Sequence, residues 1–155
     1  MKKTLLCIAA LATFASTSAL ASEASSQKAA DTAVKFRQAL FQLVRSNMGP
    51  LGAMAKGNIE YDASVMQTNA KRIKQLAEMA PDYWRTDTRK FEVDTGAKDS
   101  IWENTSDFAQ KAEDMRVAAE ALEKVAMAKD SDNYRSAIGT LGATCKACHD
   151  DYKKD

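Results

Sequence analysis

A chain of 155 residues with 45% hydrophobic and 28% charged side chains is ordinary globular material, too polar for a bundle of membrane spans and too apolar for a disordered chain. Its 22 basic and 21 acidic residues nearly cancel; without residues 1–21, which hold two lysines and no acid, the balance is 20 against 21, which excludes an electrostatic case for nucleic acid as partner. With three cysteines and one histidine, the chain has few side chains for metal or acid–base chemistry.

Lys2 and Lys3, the apolar run Leu5 to Phe14 and the small-x-small site Ala19-Leu20-Ala21 form an export signal, expected to be cleaved after Ala21. The run is too short to span a bilayer and polar sequence follows it, so no retained membrane anchor is expected. Cys7 leaves with the signal. Residues 22–155 are then a single exported domain, periplasmic, whose thiols are Cys145 and Cys148.

Ser25-Ser26 offers a cap to a first helix with Ala30, Val34, Arg37, Phe41, Val44, Met48 and Leu51 along one face at spacings of four and three. Pro50 kinks or ends this helix, and Gly57-Asn58 marks its stop. Asp62 caps a second helix, with Val65 or Met66, Asn69, Ile73, Leu76 and Ala80 in its stripe, running to Pro81. Residues 81–100 show no period but carry Tyr83, Trp84, Phe91 and Val93, so they form a long connection that packs over an exposed edge. Asp99 or Ser100 opens a third helix with Ile101, Thr105, Phe108, Ala112, Met115, Ala119, Leu122 and Ala126, ending near Lys129. Ser131 or Asp132 opens a fourth, with Tyr134, Ile138, Leu141, Cys145, Cys148 and Tyr152 on one face. Gly139 and Gly142 inside it lower helix stability, and close backbone approach or local fraying would account for them. The chain reads as all-α, an antiparallel up-down-up-down four-helix bundle.

Cys145-Lys146-Ala147-Cys148-His149 is a C-x-x-C-H sequence, the attachment pattern of a c-type haem: two thiols add across the porphyrin vinyl groups, and the adjoining imidazole supplies an axial nitrogen. On a helix these three side chains share one side. A disulfide or a thioredoxin-type redox pair leaves His149 unexplained and lacks a βαβ context, and a structural zinc site falls one ligand short. We expect one haem c per chain, covalently attached through Cys145 and Cys148 near the C-terminal end of the fourth helix, with His149 as the metal ligand.

No second histidine can fill the sixth position of the iron, and none of the six residues after His149 is methionine. In the expected bundle the end of the fourth helix faces the start of the first, around Val34 to Phe41. Met48 lies seven residues further on, about 10 Å along the axis. Met54 is further still, and Met66, Met79, Met115 and Met127 read as core filler. Phe41 is at the right height and cannot coordinate iron, which points to a five-coordinate centre with an apolar distal pocket; the alternative is that Phe41 is ordinary core and a methionine binds from elsewhere. Arg37, the one charge in the first stripe, wants a buried anion such as a haem propionate, unless it snorkels to solvent.

These residues resemble cytochrome c′. The resemblance spans the chain after the signal and is carried by Cys145 to Tyr152, by Val34-Lys35-Phe36-Arg37-Gln38-Ala39-Leu40-Phe41 and by Asn47 to Met54. It implies a periplasmic, usually dimeric bundle with a high-spin, five-coordinate haem that binds nitric oxide and carbon monoxide at a crowded distal face. It also implies that Arg37 pairs with a propionate. Lys153, four residues after His149, stands where the family often has an arginine beside the proximal face; otherwise it is a solvated tail residue.

The expected partners are thus a diatomic gas ligand and a second copy of the chain as a homodimer, to which small residues such as Ala29, Ala33 and Ala70 would contribute. The competing reading is an electron-transfer carrier with a redox partner protein. No distal acid or base can be named, so the chain is not read as an enzyme.

Overall fold

The computed structural model describes residues 21–154, so the expected signal lies outside the described residues apart from Ala21. The elements are β1 (Ser22–Glu23), α1 (Gln27–Ala55), α2 (Ala63–Tyr83), β2 (Thr86–Asp87), α3 (Ser100–Glu103), α4 (Thr105–Met127) and α5 (Tyr134–Tyr152). The long helices α1, α2, α4 and α5 form the four-helix bundle read from the stripes, packed in the cyclic order α1, α2, α4, α5.

The caps are chemical stops written in the sequence. Ser26 Oγ accepts the Ala29 N–H at 3.2 Å, and Asp62 Oδ1 accepts those of Ser64 and Val65 at 2.8 and 3.0 Å. At the far end of α1, Gly57 takes a φ of 75°, which lets its N–H reach the Met54 carbonyl at 3.1 Å and the Asn58 N–H reach that of Ala53 at 2.9 Å. Two orphan carbonyls are thereby satisfied, and a side chain at Gly57 would strain the turn.

Both prolines lie inside helices. Pro50 does not end α1, which runs to Ala55, and α2 continues past Pro81 to Tyr83. Each proline removes only its own donor from the ladder, and the packed faces on either side hold the axis. The expected third helix is interrupted at Asn104, whose ψ of 48° breaks the ladder and separates α3 from α4. The backbone N–H and Nδ2 of Asn104 both donate to the Ser100 carbonyl at 3.0 Å, which closes the single turn of α3 locally. The last helix begins at Tyr134 with Asn133, not Ser131 or Asp132, at the cap position, and Asp130 Oδ1 organises the turn by accepting the N–H groups of Asp132 and Asn133, both at 3.1 Å.

The main core is centred on Leu51, Met54, Met66, Ile73, Leu122 and Leu141. Ala70, Ala77, Ala80, Ala112, Ala119 and Ala126 are also buried, and these small side chains line the most extensive helix contact of the bundle, that between α2 and α4. Ala70 is therefore core and not available to a dimer surface. Met66 and Met115 fill the core as expected, but Met79 and Met127 are 44% and 63% exposed. On α1 the stripe is shifted by one position in its middle: Leu40 is buried and Phe41 only partly so. No Cβ added at Gly139 or Gly142 would meet another atom within 4 Å, so neither permits a close helix contact within the chain.

A second, smaller cluster of Trp84, Ile101, Phe108 and Tyr152 closes the other end of the bundle. Residues 81–100 lie over it as an ordered strap. β2 pairs in parallel with β1, Gln27 and Gln38 of α1 donate to the carbonyls of Glu92 and Asp94 at 2.8 and 3.0 Å, and Lys98 N–H reaches the Tyr152 carbonyl at 2.9 Å. The apolar residues of this stretch thus do cover an edge, with Trp84 buried.

Candidate haem site

Cys145, Cys148 and His149 lie on the last two turns of α5, and the structure gives the three different surroundings. Cys145 is partly buried, its Sγ 3.5 Å from the Leu141 carbonyl; Cys148 is partly buried against the second cluster; His149 is exposed. The two thiols are free. Burial pushes Cys148 up to about 11 and raises Cys145 as well, so both are neutral thiols at pH 7. A dithiol redox site of the thioredoxin kind needs a lowered thiol pKa, and this pair shifts the opposite way.

Phe41 comes to the same place from the opposite helix. Arg135 Nε donates to the Ala55 carbonyl at 3.3 Å, which fixes α1 and α5 as antiparallel neighbours. Thirteen residues along α5 from Arg135 is Cys148, and fourteen back along α1 from Ala55 is Phe41, both about 20 Å from that contact at the helical rise. Phe41 and Cys148 accordingly pack against the same cluster, with Phe41 bridging it to the main core. None of the described methionines joins that cluster: Met48 packs on the main core and Met54, Met66 and Met115 are part of it.

Arg37 is 4% exposed and is gripped by the strap. Its Nε donates to the Tyr83 carbonyl at 2.9 Å, Nη1 to Thr88 Oγ1 at 3.3 Å and Nη2 to the Thr86 carbonyl. The guanidinium carbon sits 4.5 Å from the centre of the Trp84 ring and 5.1 Å from that of Trp102. Burial pulls its pKa down to about 10, opposed by nearby Asp87, so it remains a cation at neutral pH. Arg37 does not snorkel. Of its five N–H groups, three are engaged by the strap and two remain for an anion.

Lys153 is exposed, and its Nζ donates to the Lys154 carbonyl at 3.1 Å, while its backbone N–H closes α5 on the His149 carbonyl at 3.0 Å. A different lysine approaches the motif through space: Lys111 of α4 pairs with Asp151 at 2.8 Å. Sequence reading also missed Thr88, buried beneath Arg37, and Asp107, which receives the Tyr152 phenol at 2.5 Å. Burial and that bond raise the Tyr152 pKa and keep the phenol protonated.

A family profile described as Cytochrome C′ matches residues 32–153. The chain belongs to the cytochrome c′ family. It is 36% identical over 126 residues to cytochrome c′ of Cereibacter sphaeroides, covering 80% of this chain and 84% of that one. Among solved structures, cytochrome c′ from Shewanella frigidimarina superposes with a TM-score of 0.74 at 35% identity, over 81% of this chain and 97% of that one. The nitric oxide complex of a leucine-to-alanine variant of cytochrome c′ from Alcaligenes xylosoxidans superposes with a TM-score of 0.72 at 33% identity, over 81% of this chain and 96% of that one.

Haem c, bound covalently through cysteines, is the cofactor of cytochrome c′, and Cys145 and Cys148 are the thiols of this chain that attach it. The surroundings fit a flat, dianionic group on this face. Cys148 packs against a ring cluster with Cys145 three residues before it on the same helix, a buried cation has two unspent donors, and Ser100 Oγ, in the same short helix as Trp102, is buried without a hydrogen-bond partner. Among the described residues no helix is long and apolar enough to cross a membrane.

Proposed function

We propose that this cytochrome c′ is a periplasmic gas-binding protein, in which His149 holds a five-coordinate, high-spin iron and Phe41 covers the opposite side. Nitric oxide and carbon monoxide are the ligands, and sequestering nitric oxide is the role. The observation that carries this reading is the packing of Phe41 and Cys148 on one cluster, from which the methionines of the bundle are absent. Haem c supplies the iron, to which an imidazole on one side leaves the other side available to a diatomic ligand. Phe41 offers a ring and no hydrogen-bond donor, so it restricts access sterically and gives a polar dioxygen complex no help. Arg37 uses its two remaining N–H groups to orient a propionate, and Lys153 adds an exposed point charge beyond His149. The related nitric oxide complex supports the ligand class.

The optical spectrum of the reduced protein, taken before and after carbon monoxide, tests this. A high-spin spectrum that changes on adding the gas is expected. A low-spin spectrum indifferent to carbon monoxide would overturn it and leave the electron-carrier reading.

The same proposal includes a homodimer. Phe36 and Leu43, seven residues apart on α1, are 55% and 54% exposed, and Met79 of α2 adds to the apolar surface of these two helices. Sedimentation at micromolar concentration should give the mass of two chains, and Phe36→Glu with Leu43→Glu should give one. A wild-type protein that sediments as a single chain throughout would remove the dimer.

A further inference from the structure

The cluster at the motif end holds a tyrosine in an arrangement that gas binding does not use. Tyr152 lies three residues past His149, is 6% exposed, and its Oη donates to Asp107 Oδ2 at 2.5 Å. Its ring meets Phe108 edge-on at 5.4 Å between centres; Phe108 meets Trp84 at 4.9 Å, and Trp84 meets Trp102 at 5.7 Å. Cys148 packs against this series at one end. At the other, Trp102 is partly exposed, with its Nε1–H on the Trp84 carbonyl at 3.3 Å.

We propose that Tyr152, Trp84 and Trp102 form a redox relay that carries oxidising equivalents from the haem to the surface when the protein meets hydrogen peroxide, with Asp107 as the proton acceptor of Tyr152. A phenol gives up an electron readily only if its proton can leave at the same time, because the cation radical is a very strong acid. The short bond to Asp107 supplies that exit: one electron goes to the oxidant, the Oη–H bond breaks, the proton moves to Oδ2, and a neutral phenoxyl radical remains. Arg37, lying 4.5 Å from Trp84 and 5.1 Å from Trp102, disfavours a positive charge on either indole. The unpaired electron therefore rests on Tyr152, where moving the proton to Asp107 leaves the pair neutral instead of creating a cation. Trp102 becomes a neutral radical when its indole N–H swings off the Trp84 carbonyl and gives its proton to solvent.

The balance closes with peroxide as the two-electron oxidant. Hydrogen peroxide, one phenol and one indole give two waters, one phenoxyl and one indolyl radical. The O–O bond breaks, Tyr152 and Trp102 each lose one electron, and the iron ends in the state in which it began. Two solvent protons are taken up in forming water; Trp102 returns one to solvent, and the phenol proton held on Asp107 replaces the other when the carboxyl releases it. One-electron donors at the exposed edge of Trp102 then reset the chain.

This inference rests on the open sixth position proposed above, since peroxide must reach the iron. The test is freeze-quenched electron paramagnetic resonance of the ferric holoprotein mixed with hydrogen peroxide, beside the carbon monoxide spectrum of the same preparation. A tyrosyl signal is expected, lost in Tyr152→Phe and diminished in Asp107→Asn, which keeps the phenol but removes the carboxylate. Trp102→Phe should retain the tyrosyl signal and eliminate oxidation of that position as read by mass spectrometry. A protein that binds carbon monoxide but shows no tyrosyl signal, or one whose signal survives Tyr152→Phe, would overturn the relay alone. Failure to bind carbon monoxide would overturn the open site and the relay together.

Discussion

Replacing Phe41 with alanine should accelerate carbon monoxide association with the reduced protein by about tenfold or more, which requires only about 1.4 kcal/mol off the barrier to access. Phe41 is the apolar side chain of α1 that packs on the cluster shared with Cys148, and it is only partly buried, so its removal opens space on the side of the cluster where Cys148 packs. Loss of stability should be moderate, about 2 kcal/mol, below the range for a fully buried phenylalanine. Leu40→Ala is the informative control. Leu40 is 5% exposed and belongs to the main core, so its truncation should cost about 2–5 kcal/mol while leaving the gas kinetics unchanged. Equal association rates in wild type and Phe41→Ala, measured by flash photolysis or stopped flow, would remove Phe41 from the distal pocket.

Arg37→Ala should be the most damaging substitution of a charged residue. It strips partners from the carbonyls of Tyr83 and Thr86 and from the Thr88 hydroxyl, and empties the space between Trp84 and Trp102. A buried acceptor left unpaired costs about 1–3 kcal/mol, and a desolvated cation over an indole contributes up to about 2 kcal/mol. With water repairing part of the loss, a net cost of about 3 kcal/mol is expected, a drop of roughly 1.5 M in urea midpoint at a slope of about 2 kcal/mol/M. Arg37→Lys keeps the charge but offers a single nitrogen where three separated acceptors stand, and should recover about half of the loss. Urea titration followed by tryptophan fluorescence reads the change directly. An alanine variant within about 0.5 kcal/mol of the parent would show that water replaces the guanidinium at no cost.

What could be read before the structure was whatever side-chain periodicity and motif chemistry record. The stripe of α5 from Tyr134 to Tyr152, the cap at Asp62 and the stop at Gly57 all follow from rules that act over one or two helical turns. The motif named the cofactor because two thiols and an imidazole at that spacing have few other uses. Arg37 stood out as a charge in an apolar stripe, but its acceptors on the strap are mostly backbone carbonyls, which leave no mark in a sequence. Thr88 is invisible for a related reason: an isolated threonine in an aperiodic stretch looks solvated until the chain folds over it. The exchange of Leu40 for Phe41 in the core stripe reflects the drift of a helix of 3.6 residues per turn against a four-three pattern, and over 29 residues that drift decides which of two neighbours is buried. Asn104 broke a helix whose apolar stripe, Thr105 apart, runs through it unharmed, because α3 and α4 bury the same side of the chain.

The strap has a mechanical side. Ser22 and Ala24 bond to the carbonyls of Arg85 and Asp87 near the beginning of the described chain, and Lys154 bonds to that of Gly96 near its end, so both ends are tied to one segment. A pull applied between them loads residues 85–96 through these bonds as well as α1 and α5 through the chain itself. The same segment grips Arg37, so tension on the ends is also felt at that buried guanidinium.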